Sequence, residues 1–143
     1  MALLTDERGS VAMMPHEEAR DYFYRRHNYI ADLDDAAERL AGEVGIRPGQ
    51  VVAVLGARLA SHGSQVVGLD AATARSDNPG EHHRYDPATR RLYLAGHLRP
   101  GQQAFRMAVQ LAYAEYDDVL TDLAADEELS SAPAVTLTRI GLA

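Results

Sequence analysis

Six histidines are the first residues in this 143-residue chain that could do chemistry, because imidazoles bind metals and transfer protons. No two of them are four residues apart, the spacing that places two imidazoles on one helical face, so a zinc-binding helix of that type is excluded. Glu81, His82, His83 and Asp86 could gather around one ion. However, adjacent strand residues such as His82 and His83 point to opposite faces, so an exposed polar hairpin is the favoured interpretation.

Other catalytic chemistries are excluded by missing residue types. The chain has no cysteine, which removes thiolate nucleophiles, disulfides and cysteine-based metal sites. All fourteen basic residues are arginine, so no lysine is present for a phosphate-binding loop or a Schiff base. Neither a Gly-x-Ser-x-Gly elbow nor a Gly-x-Gly-x-x-Gly turn occurs.

The densest group of polar and aromatic side chains lies in residues 22–29. If this segment is helical, Tyr22, Arg26 and Tyr29 share an edge that could stack on a flat ring and pair with a phosphate or carboxylate. His27 then falls on the apolar stripe of the same helix. The alternative is that the aromatic residues form core and rim, with His27 hydrogen-bonded inside.

Glu115 is a second conflict between residue type and position, because it interrupts the apolar stripe of a predicted helix. A buried carboxylate is costly unless it is paired, for example with an arginine. A helix end exposed to water would explain Glu115 equally well. The residues that we assign to this stripe are Phe105, Ala108, Ala112, Val119 and Leu123.

Hydrophobic periodicity and turn residues predict the elements that position these side chains. The predicted fold is α+β, with two long helices and shorter helices packed on a small antiparallel sheet that contains a β-hairpin. The Asp86-Pro87 step places the turn of that hairpin. The helices are predicted at about 15–42, 51–61, 102–125 and 134–143, a strand at 64–69, and the hairpin at 81–94.

Charge is unevenly distributed along a chain whose formal net charge is −7. Residues 44–114 contain four acidic residues and eight arginines, whereas the flanking parts are acidic. A basic centre of this kind could hold a small polyanion, although the arginines could equally be scattered over a solvated face. Such an acidic protein is poorly suited to non-specific DNA binding.

The longest uncharged apolar run, residues 51–57, is too short for a membrane span. The N-terminal residues contain charges almost at once and do not read as a signal peptide. Together with the absence of cysteine, these features predict a cytoplasmic protein that contacts no membrane.

Several separated segments, in order along the chain, resemble the central region of actinobacterial XRE-type transcription regulators of short-chain fatty acid metabolism, the PrpR-like and RamB-like proteins. The resemblance runs from about residue 15 to residue 143 and implies a fold similar to the IrrE metallopeptidases. The segments that carry it are Phe23-Tyr24-Arg25-Arg26-His27-Asn28-Tyr29-Ile30-Ala31-Asp32-Leu33-Asp34, Arg84-Tyr85-Asp86-Pro87-Ala88-Thr89-Arg90 and Leu98-Arg99-Pro100-Gly101-Gln102-Gln103-Ala104-Phe105.

Active peptidases of that family carry a His-Glu-x-x-His zinc motif on the helix after the hairpin. The corresponding stretch here reads Val109-Gln110-Leu111-Ala112-Tyr113, so the resemblance implies that zinc hydrolysis is lost and that no metal is bound. It also implies a response to coenzyme A (CoA) or a short-chain acyl-CoA. The ligand-binding candidates, chosen from their chemistry, are Arg26, His27, Tyr29, Arg84, Arg106, Gln110 and Tyr113.

We therefore expect residues 1–14 to form a flexible lead-in and residues 15–143 to form one IrrE-like sensor domain, truncated at its C-terminal end. Alone it should not bind an operator, and it should act as a homodimer or with a full-length regulator. One alternative is a protein-interaction module that docks its acidic residues 115–128 on a basic partner. A less favoured alternative is a divergent hydrolase that uses Glu115 and His27 as acid and base.

Overall fold

A computed structural model describes residues 14–69 and 83–143, which form an α+β arrangement of five helices and a three-stranded sheet. None of these helices is both long and apolar enough to cross a membrane. In chain order the elements are α1 (Pro15–Arg25), α2 (Ala31–Val44), α3 (Val51–Ser61), β1 (Gln65–Leu69), β2 (His83–Asp86), β3 (Arg91–Ala95), α4 (Pro100–Ala124) and α5 (Ala132–Leu142).

Contacts between Cα atoms divide the chain into two compact units. Among the described residues, the first unit contains 14–35 and 118–143, and the second contains 36–69 and 83–117. Helices α2 and α4 therefore each contribute residues to both units.

The sheet of the second unit is mixed. Its central strand β3 pairs antiparallel with β2 and parallel with β1, so that Leu92 lies opposite both Tyr85 and Val66. The expectation of a purely antiparallel sheet is therefore wrong for β1. Only β2 and β3 are joined by a tight turn, which requires antiparallel pairing, whereas a longer connection permits parallel pairing.

The predicted hairpin is confirmed, and its turn is held by Asp86. The Asp86 carboxylate accepts hydrogen bonds of 3.0 Å from the Thr89 hydroxyl and 3.0 Å from the Ala88 amide. These bonds favour the ionised form, so they lower the pKa of Asp86 from its usual value. The sequence therefore determines this turn locally, through an aspartate that bonds the backbone two residues further on.

The core of the second unit lies between one sheet face and the helices α3 and α4. The strand residues Leu92 and Leu94 alternate with the half-buried Tyr93, as expected when one face of a strand is packed. The predicted helix at 51–61 is confirmed and contributes two leucines. The buried members of this core are Leu55, Leu59, Leu92, Leu94, Ala95, Leu98, Met107 and Leu111.

The first unit is built on the packing of α1 against α5. Tyr22 of α1 is fully buried, and its hydroxyl donates a 3.0 Å hydrogen bond to the carbonyl of Leu123. Glu18 is also buried, and its carboxylate accepts hydrogen bonds from the Ser130 hydroxyl at 2.5 Å and amide at 3.2 Å. These polar side chains fix the chain that leads into α5, whose N-terminus is capped by Ser131.

The predicted long helix at 15–42 is wrong, because α1 ends at Arg25 and α2 begins at Ala31. His27 and Asn28 adopt left-handed backbone angles, with φ of 52° and 57°. The amide of Asn28 donates to the carbonyl of Phe23 at 2.9 Å, and that of His27 donates to Tyr24 at 3.1 Å. This is the Schellman pattern of a helix C-terminus, in which His27 occupies the position where glycine is most common.

The apolar stripe of α4 also differs from the predicted one. Phe105 is 61% exposed, whereas Met107 and Leu111 are buried. Apolar residues occur at neighbouring helical phases here, so the period alone does not determine which face is packed. The helix also departs from helical backbone angles at Tyr116, which has φ of −122°.

Replacing His27 by glycine tests the helix break. Glycine adopts the left-handed conformation without a Cβ penalty, so we expect His27→Gly to raise the free energy of unfolding by about 0.5–1 kcal/mol. Tyr24→Gly, in the exposed part of α1, should instead lower it by about 1 kcal/mol. Urea denaturation followed by circular dichroism measures both. Destabilisation by His27→Gly similar to that of Tyr24→Gly would contradict the observed helix end.

Candidate functional site

The best-defined polar cluster of the second unit surrounds Glu115 on α4. Its side chain is only 8% exposed, and one carboxylate oxygen contacts both Arg58 Nε and His62 Nε2, the latter at 2.6 Å. Arg58 lies in α3, and His62 follows the end of that helix. The expectation that a buried Glu115 would be paired with an arginine is confirmed.

The partners of Glu115 determine its charge. Burial by itself raises the pKa of the Glu115 carboxyl, but hydrogen bonds from Arg58 and His62 outweigh burial, so the pKa is lowered. The hydrogen bond to Glu115 in turn raises the pKa of Arg58. At neutral pH the cluster therefore contains an ionised carboxylate that two donors already occupy.

Sequence reasoning missed Arg58 and His62 as partners of Glu115. Their separation of four residues at the end of a predicted helix is a usable signal, because it places both side chains on one side of the helix. The next residue of α4 is also anchored within this unit: the Tyr116 hydroxyl donates a 3.3 Å hydrogen bond to the carbonyl of Ala36. The departure from helical backbone angles in α4, at Tyr116, thus occurs at the second of two consecutive tethered residues.

Arg84 lies on the sheet face that is turned away from the core. It lies opposite Tyr93 in the strand register, and its guanidinium carbon is 5.0 Å from the centre of that ring. Arg91, two residues before Tyr93, is exposed and alternates onto the same face. Within the described residues, Arg84 forms no ion pair. This face therefore combines an aromatic ring with two guanidinium groups and the carboxylate of Asp86, which lies opposite Arg91 in the register.

Three other predicted ligand-binding residues, Arg106, Gln110 and Tyr113, lie on α4. Their spacing of four and three residues places them along one helical face, and all three are half-buried. Met107 and Leu111 of the same helix belong to the core on the other side of the sheet from Arg84. The structure thus brings the α4 residues together but places Arg84 on the opposite sheet face.

The remaining predicted ligand-binding residues, Arg26, His27 and Tyr29, belong to the first unit. The Arg26 guanidinium lies 3.7 Å from the centre of the Tyr22 ring and contacts the Asp126 carboxylate at 2.6 Å. His27 and Tyr29 lie in the connection between α1 and α2 and are exposed. Arg26 is therefore committed to internal contacts. The single helical edge expected for Tyr22, Arg26 and Tyr29 does not form, and His27 does not lie on an apolar helical stripe, because the helix ends at Arg25.

In the parts of the chain that the structure describes, no group of three or more histidine, aspartate or glutamate side chains could hold a metal ion. The metal site considered from the sequence included Glu81 and His82, and these two residues lie outside the described parts.

Comparison with known proteins gives a consistent result. The profile of the family described as an IrrE N-terminal-like domain, a peptidase family, matches residues 62–143. The chain is 44% identical over 136 residues to the HTH-type transcriptional regulator RamB of Mycobacterium tuberculosis, covering 95% of this chain and 28% of RamB. It is 40% identical over 130 residues to the HTH-type transcriptional regulator PrpR of the same organism, covering 91% of this chain and 26% of PrpR.

A solved structure of a Mycobacterium tuberculosis transcriptional regulator has the same fold, with a TM-score of 0.81 and 40% sequence identity. The match covers 91% of this chain and 38% of that one. This chain spans about a quarter of the length of the curated relatives it matches. These relatives are named as regulators of transcription and not as enzymes.

Replacing Glu115 by glutamine tests the buried cluster. Because Glu115 has a lowered pKa when folded, its contribution is present above its ordinary pKa of 4.5 and is lost as pH falls through the folded value. We expect Glu115→Gln to lower the free energy of unfolding by about 1–3 kcal/mol at pH 7. The difference from the unmodified protein should shrink as the pH falls below about 4.5.

Urea denaturation at a series of pH values measures this difference. Glu38→Gln, which changes the same charge at an exposed position of α2, is the matched control and should have little effect. Equal stabilities of the two variants across the pH range would show that the Glu115 pairing contributes nothing.

Proposed function

Because the chain belongs to the IrrE N-terminal-like domain family, we propose that it is a non-catalytic sensor module of a transcription regulator whose ligand is CoA or a short acyl-CoA. The regulator role is supported by relatives that are named as transcriptional regulators and match over nearly the whole of this chain. The CoA ligand is supported by the residues of the sheet face.

Absence of catalysis is supported by the side chains of α4. Valine at 109 offers no ligand atom to a metal, Gln110 cannot act as a general base, and Tyr113 stands where a second imidazole would be needed. The described residues contain no alternative group of three metal ligands. Among the described residues, a peptidase scaffold with these side chains lacks the groups with which a zinc peptidase holds its metal and activates water.

The observation that carries the ligand proposal is the stacking of Arg84 on Tyr93. An arginine held over an aromatic ring, exposed to solvent and without an ion pair among the described residues, is prepared to receive a phosphate. Arg91 supplies a second guanidinium on that face. CoA combines several phosphate groups with a flat adenine ring, and both chemistries match arginine beside tyrosine.

The residues Arg106, Gln110 and Tyr113 form a second candidate surface for the same ligand. They offer one guanidinium, one amide and one phenol along α4, a set that could bind a thioester carbonyl or a single phosphate. Since Arg84 lies on the opposite face of the sheet, substitutions in the two sets distinguish the surfaces.

A protein-interaction module is less well supported. Three of the seven acidic residues in 115–128 form ion pairs within their own units. These are Glu115 with Arg58, Asp126 with Arg26, and Glu128 with Arg25. Part of the acidic charge that would dock on a basic partner is therefore already neutralised. A pull-down with a full-length regulator tests this function, since a sensor needs no partner to bind its ligand.

A hydrolase that uses Glu115 and His27 is also poorly supported. Glu115 is held ionised by Arg58 and His62, which removes it as a proton donor at neutral pH. His27 adopts the left-handed backbone conformation that ends α1, and it belongs to the first unit.

Thermal unfolding in the presence of CoA, acetyl-CoA and propionyl-CoA tests the proposed ligand. A ligand that binds only the native state raises the midpoint of unfolding with concentration. We expect such a rise with the CoA compounds and a smaller one with ATP, which controls for non-specific binding of polyphosphates.

Variants locate the surface. Arg84→Ala should weaken binding by about 1–3 kcal/mol, the value of a charge-assisted hydrogen bond. Arg47→Ala, which removes an equal charge from an exposed connection, should leave the affinity unchanged. If Arg106→Ala loses binding and Arg84→Ala does not, the ligand site lies on α4 instead of the sheet face. If no CoA compound shifts the unfolding midpoint of the folded chain, CoA is not the ligand.

A further inference from the structure

The first unit contains a cavity of about 280 Å³ beside the connection between α1 and α2. Its walls come from the end of α1, the left-handed connection, the first turn of α2 and the last turn of α5. Residues on these walls are Phe23, Tyr29, Leu33, Asp34, Gly141 and Leu142. The cavity is thus lined by aromatic, aliphatic and polar groups, with the Asp34 carboxylate at its border.

The charges around this cavity favour a positive ligand. The Asp34 carboxylate is exposed and has no ion-pair partner among the described residues. The last turn of α5, at Gly141 and Leu142, contributes the partial negative charge of a helix C-terminus, which the positive charge of Arg139 in the same turn partly offsets. The N-terminus of α2 carries a partial positive charge of about half an elementary charge. Asp32 and Asp34 lie in the first turn of this helix, and their negative charges outweigh that partial positive charge.

Aromatic rings add to this preference. Phe23 and the 58%-exposed Tyr29 both line the cavity, and the faces of such rings attract cations. Phe23 can approach α5 because residue 141 is glycine: a Cβ there would lie 2.7 Å from the ring. A side chain larger than that of glycine at residue 141 would therefore disrupt the aromatic wall.

The connection itself carries backbone strain at the cavity. Asn28 lines the space and, together with His27, adopts the left-handed conformation that costs non-glycine residues energy. This conformation is the one that ends α1, and it places Asn28 on the cavity wall.

We propose that this cavity binds an organic cation, namely an ammonium or guanidinium group carried on a short apolar stem. The stem would contact Ile30, Leu33 and Leu142, while the charged group would lie between Asp34 and the aromatic rings. The cation would come either from a free amine or from a lysine or arginine side chain of a partner protein. This inference does not depend on CoA, whose negative charge Asp34 would repel.

Nuclear magnetic resonance titration of the whole chain tests the proposal. Butylammonium and butylguanidinium are the probes, butanol and butyrate are the neutral and negative controls, and Nα-acetyl-lysine methylamide represents a protein side chain. We expect saturable shifts of the amide signals of Asn28, Tyr29 and Gly141 with the cations and none with the two controls. Binding of the lysine derivative assigns the site to a partner side chain, whereas binding of the alkyl cations alone assigns it to a free amine.

Charge variants make the test specific. Asp34→Asn should weaken binding of butylammonium about three- to fivefold, as expected for loss of one cation partner at a half-open site. Asp32→Asn removes the same charge from the same helical turn but not from the cavity wall, and it should change the affinity less than about twofold. Circular dichroism confirms that both variants are folded. Failure of both cations to saturate, equal binding of butanol, or equal effects of the two variants would overturn the proposal.

Discussion

Burying a carboxylate costs a large free energy unless charged or hydrogen-bonding partners surround it. In the described part of the second unit, Glu115 is a buried carboxylate that has such partners. Arg58 and His62 approach it from the end of α3 and therefore fix which turn of α4 lies beside that helix end. The leucines of the two helices then face the buried side of β3. The polar cluster thus sets the helix register in which the apolar core packs.

The two units present local chemistry of opposite sign. The open sheet face of the second unit offers the guanidinium groups of Arg84 and Arg91 beside Tyr93, whereas the cavity of the first unit offers Asp34 beside Phe23 and Tyr29. Each combines aromatic rings with charge, but one favours anions and the other favours cations. The arginine-rich middle of the sequence predicts the first surface. The acidic flank that contains Asp34 agrees in sign with the second, but the linear charge pattern does not place Asp34 beside Phe23 and Tyr29.

How far the sequence predicted the fold depended on how local each determinant was. The hairpin was predictable because Asp86 bonds residues within its own turn, and α3 was predictable from its apolar and alanine content. The end of α1 was missed because His27 occupies the position at which a glycine would have indicated the end of the helix. The parallel pairing of β1 could not be predicted, since it depends on contacts between distant segments and not on a turn.

The candidate site was predictable to a similar extent. The need for a partner to Glu115 followed from the cost of burying charge, but the identity of His62 as a second partner required the folded geometry. Arg26 was selected for its chemistry, yet Tyr22 and Asp126 already occupy its guanidinium.

The order of the strands has a kinetic consequence. The β2–β3 hairpin closes a short loop, whereas pairing of Gln65 with Arg91 must close a much longer one at a greater entropic cost. Assembly of the sheet should therefore begin at the hairpin, with β1 as the last strand to join and the first to detach.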